Sequence, residues 1–273
     1  MSSTGAPTGS SRRASFVARR RRSLLFRKAA GLCRRYLEAW SNLNYDIDSN
    51  GESSVLRTVA RFDPAVVLDV GANVGDWTLL ARRHFPKAAI HSFEISPPTF
   101  ATLSERCGGL ANVTLHNFGV SDVAETISIR HYPDVPALTT SSNYPHPFEY
   151  REIPAETDTG DAFASRSALA HIDLLKIDVE GMEDRILRGF ESMLSRRAID
   201  LVQFEYGRVN ILNHFLLRDF HAFFRERGYI VGKIYPDGVE FRDYQLADED
   251  FLGPNYLACR SDRTDYLRAL GCA

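Results

Sequence analysis

Three charged side chains, Lys176, Asp178 and Glu180, alternate with apolar ones in "LLKIDVEG", residues 174–181. In an extended strand, residues two apart point to the same face, so these side chains are predicted to lie together. Burying an unpaired charge costs several kcal/mol, so packing alone does not explain such a row. Gly181 follows at once and permits a sharp turn. The pattern predicts two carboxylates at the end of a core strand, facing a cleft.

The elements that must position these carboxylates are short apolar runs alternating with helical patterns, from residue 65 to about residue 260. Such alternation predicts right-handed crossovers and an α/β fold, a mostly parallel sheet with helices on both faces. In such sheets ligands bind outside the carboxyl ends of the strands. The segments predicted to meet at that edge are 71–75, Glu94, 117–122, 178–181 and Glu205.

The loop after the first strand, "VGANVGDWT" (residues 70–78), indicates the kind of cofactor. Gly71 permits the turn, Gly75 permits close approach of the next helix, and the helix start offers free amides. A dinucleotide fingerprint would need a glycine where Asn73 stands. Asp69, just before the turn, would repel a phosphate and attract a cation. The loop therefore favours S-adenosylmethionine over NAD, and Glu94 is predicted to accept hydrogen bonds from the ribose hydroxyls.

Four segments resemble the FkbM family of S-adenosylmethionine-dependent methyltransferases: "VVLDVGANVGDWT", "HSFEISPPTF", "NVTLHNFGVSD" and "IDLLKIDVEGMEDRILRGF". The entering segment "NGESSVL" and the closing segment "NYLACR" also resemble that family. The resemblance covers about residues 45–260. It implies the Rossmann-like class I methyltransferase fold, with a seven-stranded sheet whose last strand is antiparallel, and usually O-methylation.

The resemblance also implies a set of cofactor contacts: Asp69, Gly71, Asn73, Gly75 and Glu94, with the stretch from Asn117 to Ser121 walling the adenine. Two departures from the family pattern stand out. The second strand ends "FEIS" where "FEP" is common, which changes the turn but keeps the acid. A Leu-Asp pair often precedes the fourth strand, where this chain reads "TDTGDAF", so Asp161 is the doubtful equivalent.

Methyl transfer to oxygen requires alignment of the acceptor and removal of a hydroxyl proton. Asp178, Glu180 and Glu205 end predicted neighbouring strands and are predicted to surround the acceptor. His214 is a further candidate base, because histidine titrates near neutral pH. Magnesium held by Asp178 and Glu180 is an option that the sequence does not require. The structural alternative is an ion pair between Asp178 and Lys176.

The first 43 residues are predicted to form a basic arm outside the resemblance, followed by a methyltransferase domain over residues 44–273. Residues 1–37 carry nine arginines and Lys28 without an acid, whereas the whole chain has a net charge of −2. Residues 1–16 are predicted to be disordered, and a basic amphipathic helix is predicted at about residues 23–42. Such a helix suits an anionic membrane surface, a mitochondrial address or a solvated arm. The acidic remainder predicts no nucleic-acid partner.

Four scattered cysteines, and no apolar run of the roughly 20 residues that a membrane span needs, predict a cytoplasmic protein, with peripheral membrane contact or organellar import left open. The predicted activity is methyl transfer from S-adenosylmethionine to a hydroxyl on a small molecule or glycan. Two alternatives are an NAD-dependent reductase and a non-catalytic cofactor-binding scaffold.

Overall fold

The computed structural model describes residues 9–272, and the chain divides into two compact units, residues 1–43 and 44–273. The arm contains α1, Gly9–Arg20, and α2, Leu24–Trp40. Residues 1–8 of the segment predicted to be disordered lie outside the described residues. For residues 9–16 that prediction is wrong, because they belong to α1. The Phe16 ring packs edge-on against Phe26, with centroids 5.9 Å apart, and this contact joins α1 to α2.

The body is built from eleven strands and nine helices within the described residues 44–272. The strands are β1 Val66–Val70, β2 Ala89–Phe93, β3 Val113–His116, β4 Gly119–Ser121, β5 Thr126–His131, β6 Arg151–Thr159, β7 Ile172–Ile177, β8 Ile199–Glu205, β9 Tyr229–Tyr235, β10 Gly238–Phe241 and β11 Asn255–Arg260. The helices are α3 Glu52–Val59, α4 Asp76–His84, α5 Pro97–Cys107, α6 Gly160–Arg166, α7 Glu183–Gly189, α8 Glu191–Ser195, α9 Asn210–Asn213, α10 Leu217–Glu226 and α11 Thr264–Leu270.

The main sheet has eight strands in the order β10-β9-β11-β8-β7-β1-β2-β3. Strands β3, β2, β1, β7 and β8 pair in parallel, and β11 runs antiparallel to β8 and β9. The predicted α/β class, with a mostly parallel sheet and an antiparallel last strand, is confirmed. The eighth strand, β10, adds to the seven predicted: it forms a hairpin with β9 through "PDG", a turn sequence.

A second sheet, β4-β6-β5, was not predicted from the sequence. Its middle strand, β6, reads "REIPAETDT", which is rich in charged residues and carries Pro154, so its strand propensity is low. Pairing with β5 over six positions, from Thr126 with Glu156 to His131 with Arg151, overrides that propensity. This sheet joins the segment after β3 to the helix that precedes β7.

Buried apolar side chains on both faces of the main sheet hold its carboxyl edge in place. In β1, Leu68 and Val70 belong to one core and Val67 to the other, as strand alternation requires. Short β-branched runs such as "VVLDV" are typical of strands buried on both faces. The loops that leave these strands therefore start from fixed positions.

Candidate active site

A cavity of about 340 Å³ lies at the carboxyl ends of β1, β2, β7 and β8. This volume is within the range of small-molecule sites. We distinguish two parts of its wall. The loop half comprises residues 71–73, Glu94 and residues 119–121, and the carboxylate half comprises Glu52, Asp178, Glu180 and Glu205.

The loop half begins with a close approach between the chain segments that leave β1 and β7. Gly71 has φ +85°, and a Cβ placed on it would lie 1.8 Å from the carbonyl oxygen of Asp178. The Asp178 amide donates a hydrogen bond of 3.0 Å to the Val70 carbonyl. Only glycine fits at position 71, since both the φ angle and the neighbouring backbone exclude a side chain.

Glu94 follows β2 and holds the loop half together. Its Oε2 accepts a hydrogen bond from the Asn73 amide at 2.9 Å, and its Oε1 accepts one from the Ser96 amide at 2.8 Å. Burial raises the pKa of the Glu94 carboxyl to about 7, even though the two amide bonds favour the charged form. The Asn73 Oδ1 atom is buried and has no hydrogen-bond partner in residues 9–272. The cavity wall thus offers two acceptor groups to a ligand with hydroxyl or amino donors.

Asp69 lies behind the cavity wall, although the sequence analysis expected it to contact the cofactor. It is fully buried, accepts a 2.7 Å hydrogen bond from Thr78 Oγ1, and lies 3.5 Å from Lys176 Nζ. Lys176 Nζ also lies 3.0 Å from Asp178 Oδ2. Burial raises the pKa of Asp69, and the nearby Lys176 partly offsets that increase. Asp69 therefore positions Lys176, which lines the cavity in its place.

The other predicted cofactor residues divide in the same way. Ser121 lines the cavity beside Gly119. Gly75, with φ +92°, packs against Cys107 and does not line the cavity. Asn117 is exposed, and its Nδ2 donates a 2.9 Å hydrogen bond to the Glu94 carbonyl. Gly75 and Asn117 support the loop half from outside.

The carboxylate half depends on a turn that strand alternation does not describe. Strand β7 ends at Ile177, and Glu180 adopts φ +55°, so the predicted strand-like placement of Glu180 is wrong. Instead, Thr140 Oγ1 donates a 2.9 Å hydrogen bond to the Glu180 carbonyl, and Glu183 Oε1 accepts one of 3.0 Å from the Gly181 amide. These contacts stabilise a conformation that is unfavourable for a side-chain-bearing residue.

The result is a cluster of three carboxylates from two strand ends. One oxygen each from Asp178, Glu180 and Glu205 lies within 4.8 Å of the other two. Burial, together with repulsion from the neighbouring Asp178 and Glu183, raises the pKa of Glu180 to about 8. Burial likewise raises the pKa of Glu205 well above its usual range, with added repulsion from Asp178 and Glu180. Glu180 therefore holds its proton through neutral pH, and an ionised Glu180 would be a stronger base than an ordinary carboxylate.

Two parts of the cavity wall were missed by sequence reasoning. Glu52 is buried, accepts hydrogen bonds from Asn50 Nδ2 at 2.7 Å and Gln203 Nε2 at 2.6 Å, and burial raises its pKa. Its only signal was the segment "NGESSVL", which the family resemblance includes. The wall segment, residues 136–141, lies between β5 and β6 and lines the cavity with Thr140 among others. It carries no periodic pattern that would reveal it.

His214 does not join the other candidates. It ends the short helix α9 with φ +55°, is exposed, and does not line the cavity. The sequence placed it near the carboxyl edge because it follows β8, but α9 separates it from the strand end. The structure therefore gives no support to His214 as the base.

The family model described as the methyltransferase FkbM domain matches residues 69–231, more than half of the chain. The chain belongs to this family. The matched range holds the loop after β1, Glu94 and all three clustered carboxylates, so the FkbM resemblance of the sequence is confirmed. It leaves out Glu52 and the basic arm.

Several curated proteins are similar to this FkbM-family chain. The 31-O-demethyl-FK506 methyltransferase FkbM of Streptomyces tacrolimicus is 33% identical, with 46% of this chain and 59% of that protein covered. The 2-O-methyltransferase NoeI of Sinorhizobium fredii is 31% identical, covering 49% and 60%. The hexuronic acid methyltransferase AglP of Haloferax volcanii is 25% identical, covering 59% and 65%. The chain thus spans about 60% of the length of the curated relatives it matches.

Among solved structures, the O-methyltransferase TomG of Streptomyces achromogenes, in complex with SAM, aligns with 78% of this chain and 81% of its own at a TM-score of 0.43 and 14% identity. The fold assignment of this family member rests on its own strand order. Within residues 9–272, no helix is long and apolar enough to cross a membrane.

Proposed function

We propose that this FkbM-family chain transfers a methyl group from S-adenosylmethionine to a hydroxyl of a small molecule or glycan. One observation carries the proposal: a single cavity joins the loop half, with Glu94, to the cluster of Asp178, Glu180 and Glu205. The first part suits a nucleoside ligand and the second suits an acceptor that must lose a proton.

The loop half fits S-adenosylmethionine by its chemistry. Glu94 and Asn73 Oδ1, which has no hydrogen-bond partner among residues 9–272, are acceptors for hydroxyl and amino groups. Ile95, which packs against Gly119, supplies apolar surface. Nearby carboxylates favour a cationic ligand over a phosphate. When bound, S-adenosylmethionine supplies a methyl group on a positively charged sulfur. The residues of the chain bind it, exclude water and align the acceptor.

In the carboxylate half, Glu180 and Glu205 are proposed to orient the hydroxyl, and an ionised carboxylate of this pair is proposed to take up its proton. Their raised pKa values make their ionised forms better bases, which is useful because an alcohol holds its proton tightly. Asp178 is proposed to act as a positioning residue, because Lys176 already pairs with it. Asp178, Glu180 and Glu205 are also the residues that would hold a divalent ion, since magnesium prefers carboxylate oxygens, and such an ion would lower the pKa of a bound hydroxyl.

The proposal is tested in two stages with the full-length protein. Calorimetry is expected to show micromolar binding of S-adenosylmethionine, corresponding to roughly −8 kcal/mol. Incubation with a panel of sugars, polyketide alcohols and amines is then expected to add one methyl group to an oxygen, detected by mass spectrometry. Chelator and added magnesium separate a metal-assisted reaction from a metal-free one.

The two alternatives make opposite predictions in the same experiments. Tight NAD binding without binding of S-adenosylmethionine would support a reductase and overturn the proposal. Binding of S-adenosylmethionine without methylation of any acceptor class would favour the scaffold alternative. Location in the cytoplasm, with the arm touching an anionic membrane, is part of the proposal but does not affect the chemistry of the cavity.

A further inference from the structure

The second helix of the arm exposes a continuous apolar stripe. At 100° per residue, Leu25, Leu32, Tyr36 and Trp40, which are seven, four and four positions apart, share one face of α2. These side chains are 64–74% exposed, and Leu37 beside them is 52% exposed. Helix α2 buries none of its residues. An exposed apolar stripe of this kind marks a surface that a binding partner covers and shields from water.

The opposite face of α2 is cationic. Arg27 and Arg34 lie on this face, Lys28 and Arg35 flank the apolar stripe on one side, and Glu38 is the only acid in the helix. Helix α1 adds basic residues in its last turn, Arg19 and Arg20. The whole arm before Glu38 carries ten cations and no acid. A partner that covers both faces of α2 must therefore have an apolar interior and a negatively charged surface.

We propose that α2 lies in the plane of an anionic membrane, with its apolar stripe among the acyl chains and its cations among the lipid headgroups. A polyanion such as RNA would pair with the cations but leave the stripe in water. A protein groove would cover the stripe but would leave most of the ten cations without partners. A lipid surface satisfies both faces of the helix. Tyr36 and Trp40, whose rings stack with centroids 6.3 Å apart, are side chains that favour the headgroup region.

The test uses the full-length protein and vesicles of phosphatidylcholine with or without phosphatidylserine, in a co-sedimentation assay. We expect binding only to the anionic vesicles, and weaker binding as salt is raised. Trp77 is buried and Trp40 is exposed, so a blue shift of the tryptophan fluorescence on binding reports on Trp40. The shift is expected to disappear in Trp40→Phe.

Two test variants, each with a matched control, separate the apolar contribution to membrane binding from the electrostatic one. Leu25→Gln with Leu32→Gln is expected to weaken binding by ~10-fold or more, because burial of an apolar side chain contributes at least that factor. Leu212→Gln with Leu246→Gln, which alters exposed leucines of the body, is the control and is expected to change nothing.

The charge pair works in the same way. Changing four cations of α2 to glutamine is expected to weaken binding by ~100-fold or more, since each cation near an anionic surface contributes roughly fivefold. These cations are Arg27, Lys28, Arg34 and Arg35. The control changes four exposed cations of the body: Arg61, Arg83, Lys87 and Arg268.

Each outcome decides the proposal. Equal loss of vesicle binding in test and control variants would overturn it, as would binding to neutral vesicles with the same affinity. Tight RNA binding that depends on the cations but not on the leucines would assign the arm to nucleic acid instead. Calorimetry with S-adenosylmethionine on the same variants keeps this result separate from the proposed activity, because that site lies in the body.

Discussion

The two halves of the cavity are built on different physical principles. Backbone geometry fixes the loop half: Gly71 meets the Asp178 carbonyl, and backbone amides hold Glu94. In the carboxylate half, three of the four acids lie close enough for like charges to repel, and a strained turn at Glu180 positions one of them. The first half is designed for rigidity and the second stores unfavourable interactions. We therefore expect the loop half to bind the cofactor and the carboxylate half to take part in the chemistry.

The largest effect is expected from a substitution at Gly71, in the loop half. Replacing it with alanine is expected to destabilise the protein by about 3 kcal/mol or more, because the new Cβ meets backbone and the φ angle is unfavourable. Thermal unfolding measures the effect. Gly109→Ala is the control, since a Cβ there meets nothing within 4 Å and Gly109 has no positive φ. Equal melting temperatures for the two variants would contradict a loop half fixed by backbone contact.

The carboxylate half is tested by changing its acids to amides, which keep the shape but cannot take up a proton. Glu180→Gln and Glu205→Gln are each expected to lower turnover by about 10²–10⁴-fold, the range for loss of a general base. Cofactor affinity is expected to hold. Neither acid has an ion pair among the described residues, so the melting temperature should stay level or rise.

Asp178→Asn sharpens this comparison, because it leaves Lys176 with one anionic partner fewer. It is expected to lower the melting temperature as well as turnover. If all three variants melt earlier and turn over normally, the cluster is structural and the catalytic assignment fails.

Within the loop half, Glu94 and Asp69 are expected to differ. Glu94→Gln should weaken S-adenosylmethionine binding by about 1.5–3 kcal/mol, the cost of a lost charge-assisted hydrogen bond. It should also cost some stability, because one of the two oxygens that accept backbone amides becomes a donor. Asp69→Asn should lower stability with little loss of affinity, since Asp69 lies behind the wall and pairs with the buried Lys176. Calorimetry and thermal unfolding on both variants measure the contrast. If both variants lose the same affinity for S-adenosylmethionine, Asp69 contacts the cofactor and does not merely support the wall.

The smallest effect concerns pH. Burial raises the pKa of Glu94 and Glu183 to about 7 and of Glu180 to about 8, from 4.5. At any pH between 4.5 and the raised pKa values, the folded state binds more protons than the unfolded state. Stability is therefore expected to fall as pH rises from 5 to 8. Glu180→Gln should reduce that slope between pH 7 and 8 by about 1 kcal/mol per pH unit. If the melting temperature does not change between pH 5 and 8, the raised pKa values of these buried acids are wrong.

The sequence predicted the loop half better than the carboxylate half. Gly71, Asn73 and Glu94 follow strands that periodicity locates, so their neighbourhood follows from the parallel sheet. Glu180 was predicted to be in the cavity by strand alternation, whereas a hydrogen bond from Thr140, forty residues away, fixes its turn. Glu52 needed a network with Gln203, 151 residues away. Contacts at such separations have no local signal.

Errors elsewhere have similar causes. Asp69 ends a strand as expected, but its side chain points into the protein toward Thr78. The helix at residues 9–16 was missed because its composition is polar, and a ring contact between Phe16 and Phe26 supports it. Strand β6 was missed because pairing with β5 outweighs a sequence with low strand propensity.

The wall segment, residues 136–141, has a consequence for how acceptor range can change over evolution. It is inserted between β5 and β6, outside the main sheet, and touches the turn after β7 through the Thr140 hydrogen bond. Substitutions there reshape one wall of the cavity without disturbing either hydrophobic core. We therefore expect that exchange of this one segment changes the acceptor, while the loop half with Glu94 stays the same.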